Sequence, residues 1–429
     1  MASALHPSHP VYKVRRVGEK EIPWMLRRNI WTGVLGSVSV TFMTTGVFFT
    51  AYCHQMGMEA YQFGLLSTIV AFLMPISLFS ASVEEKFGQR KYPWFVLALG
   101  SRLLLLPLLF GFLVPISPWI IMVLVGTLMG IGYLISPLWQ SWTWDYIPSD
   151  TFGRFTAKRT FWVVLFRTLV ALGGAAAIHF SAPESRLPII CGVFALFLTM
   201  GIVDLMFHVR IPEPPRKSRP AKTTTKFKTA FLNRRFRNLL LGVGLWYFAI
   251  FIASPFCIPY MMKELGFEGN FLLATTMAYA IPAVGTLFFL PLWGRLADTR
   301  YPGLVLSLSC LFWATIPLFY HLARPQSAML PLTIAWLVAG IFPAGYTVCL
   351  PQLARRLSGI DKTMPLSLIF VTVSIGMMMG SGVGTLIVRL NPVNSVFRVS
   401  FAARVTAAIV LLLLLVVRPR LQRKAQNSG

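Results

Sequence analysis

The chain is short of charge. Of its 429 residues only 12% are Asp, Glu, Lys or Arg, where a soluble globular protein carries roughly a quarter. Acidic residues are scarcest, at 14, and each falls in a connector or near the end of an apolar run. Asp145 and Asp204 reach deepest, so no carboxylate stands at mid-span to mark a proton path. Cysteine is sparse and unpaired in pattern: Cys53, Cys191, Cys257, Cys310 and Cys349 are scattered singly. No C-x-x-C or Cys/His spacing occurs, which argues against a disulfide framework and against a metal site. No G-x-x-x-x-G-K-[ST] loop and no H-E-x-x-H pair occur either, so neither an ATP-driven engine nor a metal hydrolase is in prospect. The expectation is a non-enzyme with no cofactor and no metal. Residues 1–28 are polar and basic, without an apolar core closing on small residues, which argues against a cleaved signal peptide.

What is abundant is apolar surface. The chain is 56% hydrophobic with a mean hydropathy of +0.67, and apolar runs of about 20 residues recur along its length, each able to cross a hydrocarbon core. These runs lack the polar face of a soluble helix. They predict an all-α membrane protein with twelve spans, at 29–51, 61–82, 93–114, 118–144, 160–181, 187–208, 238–261, 270–293, 303–323, 329–350, 364–388 and 397–417. The organisation expected is a short N-terminal segment (1–28), a six-helix bundle (29–208), a basic linker (209–237), a second six-helix bundle (238–417) and a tail (418–429).

The formal net charge is +25, but its placement argues against a nucleic-acid partner. Of the 39 Lys and Arg, 31 lie in the two termini and in every second connector, and only 4 in the alternate connectors. Positive residues stay on the cytoplasmic side, so both termini are expected in the cytoplasm of a plasma (inner) membrane protein. The linker, RIPEPPRKSRPAKTTTKFKTAFLNRRFR, reads as a solvated segment drawn to anionic headgroups of the bilayer.

Two features occur twice, half a chain apart. The charged island SASVEEKFGQRKYP (Ser80 to Pro93) is echoed by GRLADTRYPG (Gly294 to Gly303), with Ala81 over Gly294 and Glu85 over Asp298. The outer loop MGMEAYQFGLL (Met56 to Leu66) is echoed by LGFEGNFLLA (Leu265 to Ala274), with Gly57 and Glu59 over Gly266 and Glu268. Two six-span halves with matched loops indicate parallel repeats about an axis along the membrane normal. On these residues the chain resembles the major facilitator superfamily over essentially its full length. That family's loop between spans 2 and 3 runs Gly, then Asp four residues later, a basic residue, Gly and a basic pair. Ala81, Glu85, Lys86, Gly88, Arg90 and Lys91 stand there in the first copy, and Gly294, Asp298 and Arg300 in the second. The stretch WQSWTWDYIPSDTFGRFTAKR (Trp139 to Arg159) is similar to the family's Asp-x-x-Pro loop through Asp145, Pro148, Gly153 and Arg154, with Gly and Arg in reversed order.

The resemblance implies twelve helices in two pseudo-symmetric bundles and secondary transport of a small organic solute by alternating access, by a monomer. It implies a cytoplasmic gate of Glu85, Lys86, Gly88, Arg90, Asp145, Arg154, Gly294, Asp298 and Arg300. Spans 1, 4, 7 and 10 line the family's cavity, where this chain offers Thr44, Thr45, Tyr133, Trp139, Trp142, Trp246, Tyr247, Trp336 and Tyr346. Hydroxyl- and indole-bearing aromatics suit a sugar-like or amphipathic ligand. Besides Arg398 at the edge of span 12, three arginines lie deeper within spans, and an intramembrane charge is a functional hypothesis by default. Arg102 and Arg404, peripheral by the resemblance, are expected to pair internally or to snorkel, whereas Arg167 in span 5 is the candidate contact for an anionic metabolite. Gly126 stands where the family's antiporters carry Arg, and span 5 lacks the Gly-Pro signature of drug exporters. An exporter of hydrophobic compounds and a non-transporting sensor or scaffold are the alternatives. The coupling ion stays open between H⁺, Na⁺ and none. Gly376, Gly380, Gly382 and Gly384 give span 11 a small face for close helix packing or for self-association.

Overall fold

The structure is a computed structural model describing residues 18–44, 46–58, 60–148, 150–214, 232–266, 273, 276–298, 301–357 and 363–417. Thr45, Arg300, Glu59 and Glu268 lie outside the described residues. In lipid every backbone polar group needs an internal partner, which leaves helices for an apolar chain of this composition. We number the long helices α1 (Ile22–Thr44, resuming as Gly46–Gln55), α2 (Ala60–Leu73, prolonged by a 3-10 stretch Met74–Phe79 and a last helical piece Ser80–Phe87), α3 (Lys91–Leu103), α4 (Pro118–Tyr146), α5 (Phe152–His179), α6 (Arg186–Val209), α7 (Arg234–Pro259), α8 (Ile281–Ala297), α9 (Pro302–Trp313, continued by Ile316–Leu322), α10 (Met329–Leu357), α11 (Thr363–Leu390) and α12 (Ser395–Leu412). Among the described residues ten helices are long and apolar enough to cross a membrane, from the one starting at Lys91 to the one ending at Val417.

The helices overlap the expected spans, but several ends move: α1 starts at Ile22 rather than 29, α3 stops at Leu103 short of 114, α8 starts at Ile281 rather than 270, and α10 runs to Leu357 past 350. Helix α5 starts at Phe152, eight residues before the expected 160, because its polar first turns are capped by a distant carboxylate described below. Helix α7 starts at a local signal instead: the Asn233 side chain accepts from the N–H groups of Arg235 and Phe236 at 3.0 and 3.2 Å, an ordinary N-cap.

The chain divides into two compact units. One comprises 1–149, 165–227 and 360–367, the other 150–164, 228–359 and 368–429. The first turns of α5 thus belong with the C-terminal half, and the first turn of α11 with the N-terminal half. In the first unit Phe48 meets Phe197 edge-on at 5.7 Å and Tyr52 meets Phe194 at 5.2 Å, joining α1 to α6 in the core. In the second, Tyr320 stacks on Phe397 at 5.2 Å, and Tyr260 meets the same ring at 5.0 Å. The loops after α1 and α7 share their backbone: Gly57 and Gly266 have φ of 76° and 79°, a left-handed conformation that glycine adopts without steric cost. The glycine face of α11 is used inside the second unit. A Cβ at Gly376 would fall 2.6 Å from the Gly244 carbonyl oxygen of α7, and Cβ atoms at Gly380 and Gly384 would strike the carbonyls of Phe248 and Ile252.

Candidate functional site

Two carboxylate constellations stand on the repeated islands. In the first unit the centre is Arg90, at the start of α3 and only 4% exposed. Its Nη2 lies 2.7 Å from Asp145 of α4, and its Nε lies 3.0 Å from Glu213 and 3.9 Å from Glu84. Glu213, 2% exposed, also accepts from the backbone N–H groups of Arg90 (3.1 Å) and Lys91 (3.0 Å). It thereby caps α3 and favours the positive end of the helix dipole. Lys91 donates from Nζ to the Val209 carbonyl at 2.7 Å and lies over the Trp142 ring at 5.9 Å. Burial works against the Arg90 charge, but Asp145, Glu213 and Glu84 together outweigh it and hold the guanidinium above its ordinary range.

In the second unit the centre is Asp298. Its two oxygens accept from the N–H groups of Gly153 (2.6 Å) and Arg154 (2.9 Å), while Arg154 Nε approaches at 3.3 Å. This carboxylate is the cap of α5. Gln352 donates to Asp298 at 3.4 Å, Arg356 reaches its backbone carbonyl at 3.5 Å, and the Arg355 guanidinium lies 4.8 Å above the Phe152 ring. Gly294 and Gly153 are the close-approach residues. A Cβ at Gly153 would come within 2.8 Å of the Gly294 carbonyl, and one at Gly294 within 3.2 Å of Arg154 Cα. The four-residue spacing from Gly294 to Asp298 puts the small residue and the capping carboxylate on one face of α8.

The first copy differs in phase. Glu85, expected to latch, is exposed, as are Lys86 and Gly88, whereas Glu84 is buried beside Arg90. Gly88, at φ 68°, ends the helical piece before it by donating to the Glu84 carbonyl. Asp145 and Arg154, expected in one network, serve different ones: Asp145 holds Arg90, and Arg154 accompanies Asp298. Glu84 and Glu213 were not anticipated. Adjacent glutamates leave the helical phase open, and Glu213 sits in a Pro-rich linker without local pattern.

The aromatics expected to meet solute fall into two groups. Trp142 is buried and donates to the Pro212 carbonyl at 3.2 Å, and Trp139 donates to His208 Nε2 at 2.9 Å. Both indoles are spent on packing α4 against α6. In the second unit Trp246, at 0% exposure, meets Trp313 edge-on at 5.3 Å, and Tyr346 lies between Trp313 (5.8 Å) and Tyr247 (6.2 Å). Trp246 Nε1 and Trp336 Nε1 are buried and have no hydrogen-bond partner among the described residues, whereas the Tyr346 hydroxyl is paired with that of Tyr247. Idle buried donors are rare in proteins and call for an explanation. Thr44 is buried, while Tyr133 and Arg167 are half-buried in α4 and α5. The other two intramembrane arginines are internally engaged. Arg404 donates to the Ile250 carbonyl and Ser400, each at 3.1 Å, and Arg102 lies 3.9 Å from Asp204.

The apolar helices define an integral, multi-pass membrane protein. Residues 239–429 match the sequence model described as Major Facilitator Superfamily, and the chain has the major facilitator fold. Solved structures similar to it include the proton:xylose symporter XylE (15% identity, covering 92% of this chain and 96% of that one, TM-score 0.62). FucP in an outward conformation is another (11%, 91% and 98%, 0.67), as is the human organic anion transporter MFSD10 (14%, 92% and 100%, 0.66). No curated protein matches the chain in sequence.

Proposed function

We propose that this protein is a secondary transporter that moves a small polar or amphipathic organic solute by alternating access, with its termini in the cytoplasm of an inner membrane. The idle donors Trp246 Nε1 and Trp336 Nε1 carry the solute reading. Aromatic faces edged with unspent N–H groups suit a ligand with an apolar body and hydroxyl or carboxylate oxygens. Sugar symporters and an organic anion transporter share the fold, which is consistent with a sugar-like or anionic metabolite. In this reading the half-buried Arg167 guanidinium in α5 favours an anion. The islands at Arg90 and Asp298 form the cytoplasmic gate in this reading. Their carboxylates hold helix starts that a rocking motion would release.

The test is thermal stability of the purified protein against neutral sugars, organic anions and lipophilic cations. A ligand at about 100 times its Kd stabilises by roughly 2.7 kcal/mol. Trp246→Phe deletes the donor and shrinks a fully buried ring, so it is expected to lower the ligand-free melting temperature and, measured against that new baseline, to weaken a stabilising ligand about fivefold, one hydrogen bond's worth. Arg167→Gln abolishes the shift for an anion and spares it for a neutral sugar. No shift with any class, together with no solute counterflow in proteoliposomes, overturns the carrier reading.

A further inference from the structure

Beside the Arg90 constellation lies a second buried group of charges that the gate does not use. Asp204 (4% exposed) and His208 (3%) stand one turn apart on α6. His208 Nδ1 lies 3.1 Å from Asp204 Oδ1 and 3.0 Å from the Asp204 backbone carbonyl. On the far side, the Trp139 indole of α4 reaches His208 Nε2 at 2.9 Å. An indole N–H only donates, so Nε2 must offer its lone pair and the proton of the neutral ring must sit on Nδ1. The surroundings are tight. A Cβ at Gly36 of α1 would come 2.6 Å from Asp204 Oδ2, and the Trp94 ring of α3 lies 4.6 Å from the imidazole.

We propose that His208 is a proton-binding site whose occupancy is sensed by Trp139. A proton arriving at Nε2 takes up the lone pair that Trp139 uses, so the two N–H groups face each other and the α4–α6 hydrogen bond breaks. The imidazolium keeps Asp204 beside Nδ1, which matches its new charge. The charged groups on the packed elements are Arg28 on α1, Lys91 and Arg102 on α3, and Asp204 on α6 with Arg210 just after it. Helix α4 presents only the neutral indoles of Trp139 and Trp142 here. Arg102 already answers Asp204 at 3.9 Å, so that pair is balanced while His208 is neutral, and protonation adds one positive charge beside it. Trp139 precedes Asp145 by six residues on α4, about 9 Å along the helix, and Asp145 holds Arg90. Proton uptake is thereby linked to the helix that carries the gate. Its use as the coupling ion's site rests on the carrier reading above. The binding itself does not.

The experiment is nitrogen-15 NMR of the full chain in lipid nanodiscs, with labelled His and Trp, titrated from about pH 8 to about pH 5. At high pH His208 is expected as the Nδ1–H tautomer, with the Trp139 indole proton in a hydrogen-bonded position. On acidification both ring nitrogens carry protons, and the Trp139 resonance moves in the same step. His208→Gln removes that step. An Nε2–H tautomer at high pH, an indole resonance that stays still in the wild type, or one that moves equally in His208→Gln overturns the proposal. The wild type alone gives the first two readings, so a variant that fails to fold does not decide the matter. Counterflow judges the carrier reading separately.

Discussion

At the scale of single residues, Glu213 concentrates the structure of the first unit. One buried carboxylate accepts from two backbone N–H groups of the α3 start and from the Arg90 side chain. Glu213→Ala would leave Arg90 buried with Asp145 and Glu84 only, and the α3 N–H groups uncapped. Removing one partner of a buried ion pair costs roughly 3–5 kcal/mol, so a large fall in melting temperature is expected, readable by thermal unfolding in detergent. Glu213→Gln, which keeps one acceptor oxygen, should recover part of that loss. This is the scale at which the sequence was least legible. Nothing local marks Glu213, since its partners lie more than 120 positions earlier. Glu84 and Glu85 are neighbours of the same type, and only the packed helix tells which one turns inward.

At the scale of elements, α11 and α5 show opposite degrees of legibility. The four-residue glycine spacing of α11 is a local pattern, and the structure uses it against the backbone of α7 at Gly244, Phe248 and Ile252. Gly380→Leu has no room beside the Phe248 carbonyl. Overpacking typically costs 1–3 kcal/mol, and a collision with backbone belongs at or above the top of that range. Gly382→Leu, where a Cβ meets nothing within 4 Å, should be tolerated. Comparing the two melting temperatures checks whether this face packs within the chain. Helix α5, by contrast, hides its first two turns from sequence reading. Phe152 to Arg159 looks like a charged connector because the carboxylate that caps it is supplied 144 or more positions away.

At the scale of the whole molecule, the duplicated architecture was visible as paired islands, and the matched φ values of Gly57 and Gly266 give it a backbone signature. The apolar spans are legible as well, ten of them being helices long and apolar enough to cross a membrane among the described residues, because lipid imposes length and apolarity on every helix alike. The aromatics were harder to sort. Side-chain type could not separate Trp139 and Trp142, which pack α4 onto α6, from Trp246, whose donor is idle. The gate assignment makes a prediction at this scale. Asp298→Asn keeps the shape and loses the charge that holds the α5 start. Charge-assisted hydrogen bonds are worth about 1.5 kcal/mol or more, enough to shift a two-state balance about tenfold. Labelling of a Thr156→Cys probe, half-buried in this region, should rise accordingly. Unchanged labelling would remove Asp298 from the gate.

The cap on α5 has a further meaning. A helix whose first N–H groups are satisfied by its own neighbours keeps its length wherever it goes, but the opening turn of α5 is on loan from α8. If Asp298 withdraws, as the proposed gate requires, Gly153 and Arg154 must find water or unwind, and the length of α5 would become a variable of the proposed cycle. Opening would then be a short melting event at one helix end, and its rate would be set by how quickly a single turn frays and reforms.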